Sequence, residues 1–203
     1  VTATPVVADI STEAGQRAVL DACPRPDILV NNNGGPPRRD FRELDRAAIM
    51  AGVTQNLVTP VELIQATIDG MAERGFGRII NITSLSVLTP IPGLDLSSAA
   101  RAGLTAFLAG IIRPFSARNV TVNNLLPGKF DTDRLRGGFA AAARAAETSV
   151  DDVAERQRDE IPAKRFGDPA EFGAMCAFLC SAHAGYITGQ NIVLDGGLFV
   201  RAF

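Results

Sequence analysis

The stretch G-R-I-I-N-I-T-S at 77–84 does most to limit what this chain can fold into. It is a continuous apolar run that closes on polar residues, without the alternation of a strand that has one wet face. A strand of this kind belongs to a parallel sheet covered by helices on both sides. Other runs repeat the theme. V-V-A-D at 6–9 follows Pro5 and ends at Asp9 like a strand, and D-I-L-V-N-N-N-G at 27–34 is a short buried strand with a polar end. V-T-V-N-N-L-L-P-G at 120–128 runs into a Pro-Gly stop, and Y-I-T-G-Q-N-I-V-L-D-G-G at 186–197 is a last strand between glycine signals.

Helical patterns separate these runs. Residues 11–23 begin with a capping residue, and residues 45–74 form a long helical pattern interrupted near Pro60. The glycines between Gly70 and Gly77 read as a helix stop, and G-G-P-P-R-R-D at 34–40 reads as a loop. Residues 97–117 are helical, residues 132–160 are a charged, Ala-rich helical excursion, and 168–181 is a capped helix with proline in its first turn. Strand-helix alternation with buried strands predicts one doubly wound, Rossmann-like α/β domain over 1–203. Ligands of such sheets bind beyond the carboxyl ends of the strands. Those ends are Asp9, Asn31 to Gly35, Asn81 to Ser84, and Pro127 to Thr132.

Composition narrows the function classes. A chain of 203 residues suits one domain with a real core, and a net charge of -2 makes no electrostatic case for nucleic acid or an anionic membrane. The apolar runs read as too short to span a bilayer, and no secretory signal pattern opens the sequence. Three cysteines fit a reducing cytosol, so a cytoplasmic location is expected. Cys176 and Cys180, at helical spacing, are expected in core packing, since the single histidine, His183, offers too few partners for a metal.

In family order and spacing, these motifs resemble the short-chain dehydrogenase/reductase family, closest to its 3-oxoacyl-acyl-carrier-protein reductase-like branch. The matching pieces are D-I-L-V-N-N-N-G, Q-N-L at 55–57, G-R-I-I-N-I-T-S, V-T-V-N-N-L-L-P-G-K-F-D-T-D at 120–133, R-F-G-D-P-A-E-F at 165–172 and the closing Y-I-T-G-Q-N-I-V-L-D-G-G. The resemblance implies hydride transfer between NAD or NADP and a small carbonyl or alcohol substrate, in a homodimer or homotetramer. It assigns Asn56 to the family's relay asparagine and Ser84 to the serine that binds the substrate oxygen. The family tyrosine is expected 13 residues after that serine, where Ser97 stands, and its lysine four further on, at Arg101. The Tyr-x-x-x-Lys motif thus reads Ser-x-x-x-Arg in G-L-D-L-S-S-A-A-R-A-G at 93–103. A phenol with a pKa of about 10 can be tuned toward neutrality, and an aliphatic alcohol cannot. Arg101 keeps a positive charge but does not titrate as lysine does.

The resemblance further implies cofactor contacts at Asp9, Asn32, Asn33, Gly34, Arg101, Pro127, Gly128, Phe130 and Thr132. Asn33 replaces the family's usual alanine. No strand, Gly-rich turn and helix for a pyrophosphate occurs in this sequence. It starts at Val1, where the family's third strand would start, and the native protein is expected to be longer by some tens of residues. Without the preceding strands, D-I-L-V-N is expected to be an open sheet edge.

Each assignment has a plainer counterpart. Ser97 suits a helix N-cap, with Ser98 sharing the role. Arg101 suits a solvated or ion-paired helix position. Asn56 suits a backbone contact across a kink, Asp9 a cap on the helix after it, Asn31 and Asn32 strand-end backbone bonds, and Pro127 to Thr132 a tight turn. Residues 132–160 are expected to be a substrate lid within the domain, with Gly137 and Gly138 as a hinge. Two functions follow: an oxidoreductase with an atypical proton donor, such as water held by Ser97 or Ser84, or a non-catalytic family member that binds cofactor or scaffolds subunits.

Overall fold

In a computed structural model of the chain, which describes residues 2–200, four strands form one parallel sheet in the order β1-β2-β3-β4. They are β1 (Ile28–Asn31), β2 (Gly77–Ile82), β3 (Val120–Pro127) and β4 (Asn191–Leu194). The two central strands are the continuous apolar runs, and both are buried almost throughout. Successive strand residues face opposite sides. Ile79 and Val122 enter one core with Ile64, Ile68 and Met71 of α3 (Thr59–Glu73) and Leu104 and Leu108 of α4 (Asp95–Ile111). Ile80 and Leu125 enter a second core under α8 (Pro169–Cys180), with Leu179, Ala184 and the partly buried Cys176 and Cys180. The cysteines therefore pack as core residues, and burial pushes the Cys180 thiol up to about 11.

Local chemistry sets the helix ends. Thr12 caps α1 (Glu13–Ala22) through the Gly15 amide. Asp168 and Glu171 form a capping box ahead of Pro169 on α8. At the end of α3, Gly75 takes φ 70°, the Gly75 amide donates to Ala72, and the Phe76 amide donates to Met71. That is a Schellman stop, the role expected of the glycines between α3 and β2.

Four expectations change. V-V-A-D at 6–9 forms no strand, and Val7 is fully exposed. Apolar residues make a strand only beside a partner backbone, and among the described residues none pairs with 6–9. The open edge falls on β1 as expected, with Ile28 46% and Val30 42% exposed. Residues 46–73 form one continuous helix, long and apolar enough by composition to cross a membrane, contrary to the reading of the apolar runs. In this fold its second half lies on the sheet, with Leu63, Ile64, Ile68 and Met71 buried. The excursion at 132–160 is a helical hairpin, α6 (Asp133–Ala145) and α7 (Val150–Asp159), joined through Phe139, Ala143 and Val153. Gly137 and Gly138 lie inside α6 rather than between elements. The helix at 97–117 is α4 followed by the short α5 (Arg113–Ser116), with Pro114 in its first turn.

Candidate active site

The long helix changes register where it passes the carboxyl end of β1. Between α2 (Arg46–Val53) and α3, residues Thr54–Val58 make a π-helical turn, in which the Thr59 amide donates to the Thr54 carbonyl five residues back. In that register the Gln55 carbonyl would receive residue 60, but Pro60 has no N–H to give. The side-chain amide of Asn33 donates to the Gln55 carbonyl instead, at 2.7 Å. This contact explains an asparagine where the family has alanine: its side chain closes the widened turn.

Asn56 sits in the middle of that turn, 2% exposed. Its Nδ2 donates to the Gly34 carbonyl at 2.8 Å, and its Oδ1 accepts the Ser97 hydroxyl at 3.2 Å. Ser97 lies within the first turn of α4 and does not cap it: the cap position is Leu94, with no side-chain cap bond, and Ser98 bonds back to the Leu94 carbonyl. The capping reading of Ser97 is therefore replaced by burial against Asn56. One turn on, the Nε of Arg101 donates to Ser97 Oγ at 3.3 Å, its Nη1 to the Ile82 carbonyl at 2.7 Å and its Nη2 to the Asn33 carbonyl at 3.2 Å. Arg101 is 8% exposed and forms no ion pair among the described residues, which overturns its reading as a solvated or paired helix residue. Burial, and secondarily the neighbouring Arg134 guanidinium, push its pKa down to about 10. It still carries its charge at neutral pH.

Gly35 closes this constellation. A Cβ there would lie 3.2 Å from Ser97 Oγ, 3.6 Å from Arg134 Nη2 and 3.6 Å from Asn56 Oδ1. Sequence reasoning placed Gly35 only at a strand end and passed over Arg134. A glycine pair directly after a polar strand end was the available signal for Gly35. For Arg134, one more charge in D-T-D-R-L, there was none.

The remaining candidates stand elsewhere. Ser84 is half-buried at the end of β2, and its Oγ accepts the Ser86 amide at 3.1 Å; it makes no direct bond to Ser97 or Asn56. Asn32 and Gly34 are exposed beyond β1, and a Cβ on Gly34 would meet nothing within 4 Å. Asn31 donates to Asn81 at 2.9 Å beneath them. Asp9 is exposed, and its carboxylate accepts the Ser11 amide and hydroxyl, which hold its pKa below the usual range; Thr12, not Asp9, caps α1. Pro127 and Gly128 turn tightly under Asp195, whose Cβ would lie 2.6 Å from a Cβ on Gly128. Phe130 stacks edge-on against Phe172 at 5.2 Å, and Thr132 caps α6 through the Leu135 amide. Tyr186, the sole tyrosine, is fully exposed before β4, so no phenol lines the site.

A parallel sheet wrapped by helices, with a polar constellation at the carboxyl ends of its strands, defines the nucleotide-binding α/β class. Within that class, the chain belongs to the short-chain dehydrogenase/reductase family. The family model described as enoyl-(acyl carrier protein) reductase matches residues 2–199. The acetoacetyl-CoA reductase of Cupriavidus necator is 36% identical over 172 residues, 85% of this chain and 65% of that protein. The 3-oxoacyl-(acyl-carrier-protein) reductase of Vibrio harveyi is 32% identical over 190 residues, 94% of this chain and 73% of that protein. The crystal structure of YwfH, an NADPH-dependent reductase involved in bacilysin biosynthesis, superposes with a TM-score of 0.88 at 31% identity, covering 95% of this chain and 76% of that one. The chain thus spans just under two thirds of the length of the first of these relatives.

Proposed function

We propose that this chain is the greater part of an NAD(P)-dependent oxidoreductase that interconverts a small carbonyl compound and its alcohol, of the 3-oxoacyl type, in a homodimer or homotetramer. The observation that carries the reading is Ser97 Oγ, held between Arg101 Nε and Asn56 Oδ1 where the family's tyrosine is expected. The names of the relatives, two of them acyl-thioester reductases and one NADPH-dependent, support the reaction class.

The residues present fit the nicotinamide end of such a cofactor. The backbone beyond β1 is open at Gly34, and Arg101 holds a buried cation with no counter-ion beside it. Asn32, Gly34 and Arg101 would hold that end, and Thr132 and Phe130 would approach it from the β3 turn. The cofactor, when bound, supplies or accepts the hydride. Ser97 holds the substrate oxygen, or the water that gives it a proton. Arg101, 3.3 Å from Ser97 Oγ, favours negative charge developing on that oxygen. Asn56 fixes the Ser97 hydroxyl, and the π-helical turn fixes Asn56. Ser84 supplies a second hydroxyl at the rim, and the α6–α7 hairpin serves as the lid.

A second reading, a cofactor-binding family member without turnover, has one observation in its favour: of Asn56, Ser84, Ser97 and Arg101, none is a group that titrates near neutral pH. The two readings separate by experiment. NADPH and NADH oxidation by the full-length protein is measured against 3-oxoacyl esters and simple ketones, beside direct cofactor binding. Turnover supports the oxidoreductase; cofactor binding with no turnover supports the second reading. A Ser97→Tyr/Arg101→Lys double variant that gains rate shows that the rest of the site is competent.

A further inference from the structure

Two positive charges converge on Ser97, and no negative charge meets them. Arg101 has five N–H donors, of which three are spent on Ser97, Ile82 and Asn33. Two remain, on a residue only 8% exposed. Arg134, in the first turn of α6, reaches in from the other side, its Nη2 3.6 Å from the position of a Cβ on Gly35, a point 3.2 Å from Ser97 Oγ. The two guanidinium groups are near enough that Arg134 helps depress the Arg101 pKa. Arg134 has neither hydrogen bond nor ion pair among the described residues. Its neighbour Arg136 differs: it takes Asp131 at 3.0 Å and Asp133 at 3.5 Å, the two carboxylates of that turn. Arg39 of the opposing loop, also without an ion pair, lines a small cleft with Ser97, Gly93 and Leu96.

Holding two like charges together with no counter-ion is unfavourable in the free protein, and the first is out of water. An oxyanion placed between them reverses the sign of both effects, and planar guanidinium forks are shaped to bind it through paired donors. We propose that Arg101 and Arg134 form a two-guanidinium clamp for an oxyanion, a carboxylate or a phosphate, carried by the ligand that seats on Ser97 and Asn56. The inference rests on the ligand-binding reading of that site, and it adds a charge requirement that either the substrate or the cofactor must meet. The anion has two sources, the acid group of an oxo- or hydroxy-acid substrate or a phosphate of the cofactor, and Arg134 is where they are told apart.

The test uses the full-length protein, with Arg134→Gln as the variant and Arg136→Gln, which removes an already neutralised cation, as the control. Equilibrium binding of acetoacetate, of its neutral methyl ester and of NADPH is measured by calorimetry. The loss expected from a charged hydrogen-bonded contact is about tenfold or more in affinity. If the substrate carries the anion, Arg134→Gln weakens acetoacetate and leaves the methyl ester unchanged. If the cofactor carries it, Arg134→Gln weakens NADPH and leaves both oxo compounds unchanged. Either result supports the clamp, provided Arg136→Gln shows neither. Unchanged affinities in Arg134→Gln, equal losses in the two variants, or no binding of acetoacetate or NADPH by the wild type overturn it. Failure of the function reading looks different: the wild type binds, Arg134→Gln binds more weakly, and NADPH is not consumed.

Discussion

Two arginines are buried among the described residues, at opposite ends of β2 and on opposite faces of the sheet, and neither has a carboxylate. Arg78, at the start of β2, spends four of its five donors: on the carbonyls of Ser181, Gly77 and Asn119 and on the Asn119 side chain, at 2.8 to 3.2 Å. Its guanidinium also lies 4.4 Å over the Phe76 ring. Arg101, next to the end of β2, spends three, one of them on a hydroxyl, and faces a second cation. Burial lowers both pKa values. The difference lies in what completes the site. Around Arg78 the protein's own carbonyls and ring complete it, and it ties β2 to the segment after α8. Around Arg101 the protein leaves donors over and adds more positive charge. A buried cation is thus a strut where its surroundings are satisfied and a binding group where they are not.

The largest effect expected from this contrast is on stability. Arg78→Met removes the donor to the buried Gly77 carbonyl and to the half-buried Ser181 carbonyl, and an unpaired buried group costs about 1–3 kcal/mol. Urea denaturation is expected to show a loss of about 2 kcal/mol. Ligand affinity per folded molecule is expected to stay unchanged; a drop in affinity would remove the distinction between the two arginines. Arg101→Met should reverse the pattern. The Ile82 and Asn33 carbonyls it releases belong to half-buried residues, where water replaces the lost donor. The stability loss is then about 1 kcal/mol, while NADPH or acetoacetate affinity falls at least tenfold.

A third expectation concerns pH. The Arg101 pKa is lowered to about 10, below its ordinary value, so both folded and unfolded chains are protonated there below about 10 and its burial opposes folding in full. Between about 10 and the ordinary arginine value the folded chain has released a proton that the unfolded chain keeps, and that opposition fades as pH rises. Oxyanion affinity moves the other way and is expected to fall as pH passes 10 in binding titrations. An affinity flat to pH 11 would separate the cation from the ligand. The smallest effect belongs to the exposed pair of Arg165 and Glu171. Arg165, at 2.7 Å, and the Asp168 amide hold the Glu171 carboxyl down at about 2. Its contribution is present above the ordinary 4.5 and is lost as pH falls through about 2. Glu171→Gln should flatten that acid limb in thermal melts and shift the neutral Tm less than either arginine variant does.

Much of this architecture could be read in the chain. The continuous apolar run at 77–84 announces a strand covered on both faces, the run at 120–128 a strand with a Pro-Gly stop, and Gly75 and Asp168 announce helix ends with their mechanism. Motif register brought Asn56, Ser97 and Arg101 to one place, and they do meet. What escaped depends on contacts distant in sequence. V-V-A-D has strand composition but pairs with nothing, and composition does not report a partner. Asn33 read only as a departure from the family's alanine because the carbonyl it satisfies belongs to Gln55 and is freed by a proline further along the same helix. The interruption expected near Pro60 is real, but it is a widening of the helix rather than a break.

That widening acts as a phase device. A helix advances about 100° per residue, so one residue gained or lost rotates everything beyond it by that angle. With α3 locked into the core, deleting one residue from 54–58 would leave the sheet face in place and turn α2 like a dial. Gly52, where a Cβ would come within 2.6 Å of Leu96, would leave its seat on α4, and Asn56 would swing away from Ser97. The aim of the site and the solidity of the core are therefore set by different stretches of one helix, and insertions or deletions can retune the first without touching the second.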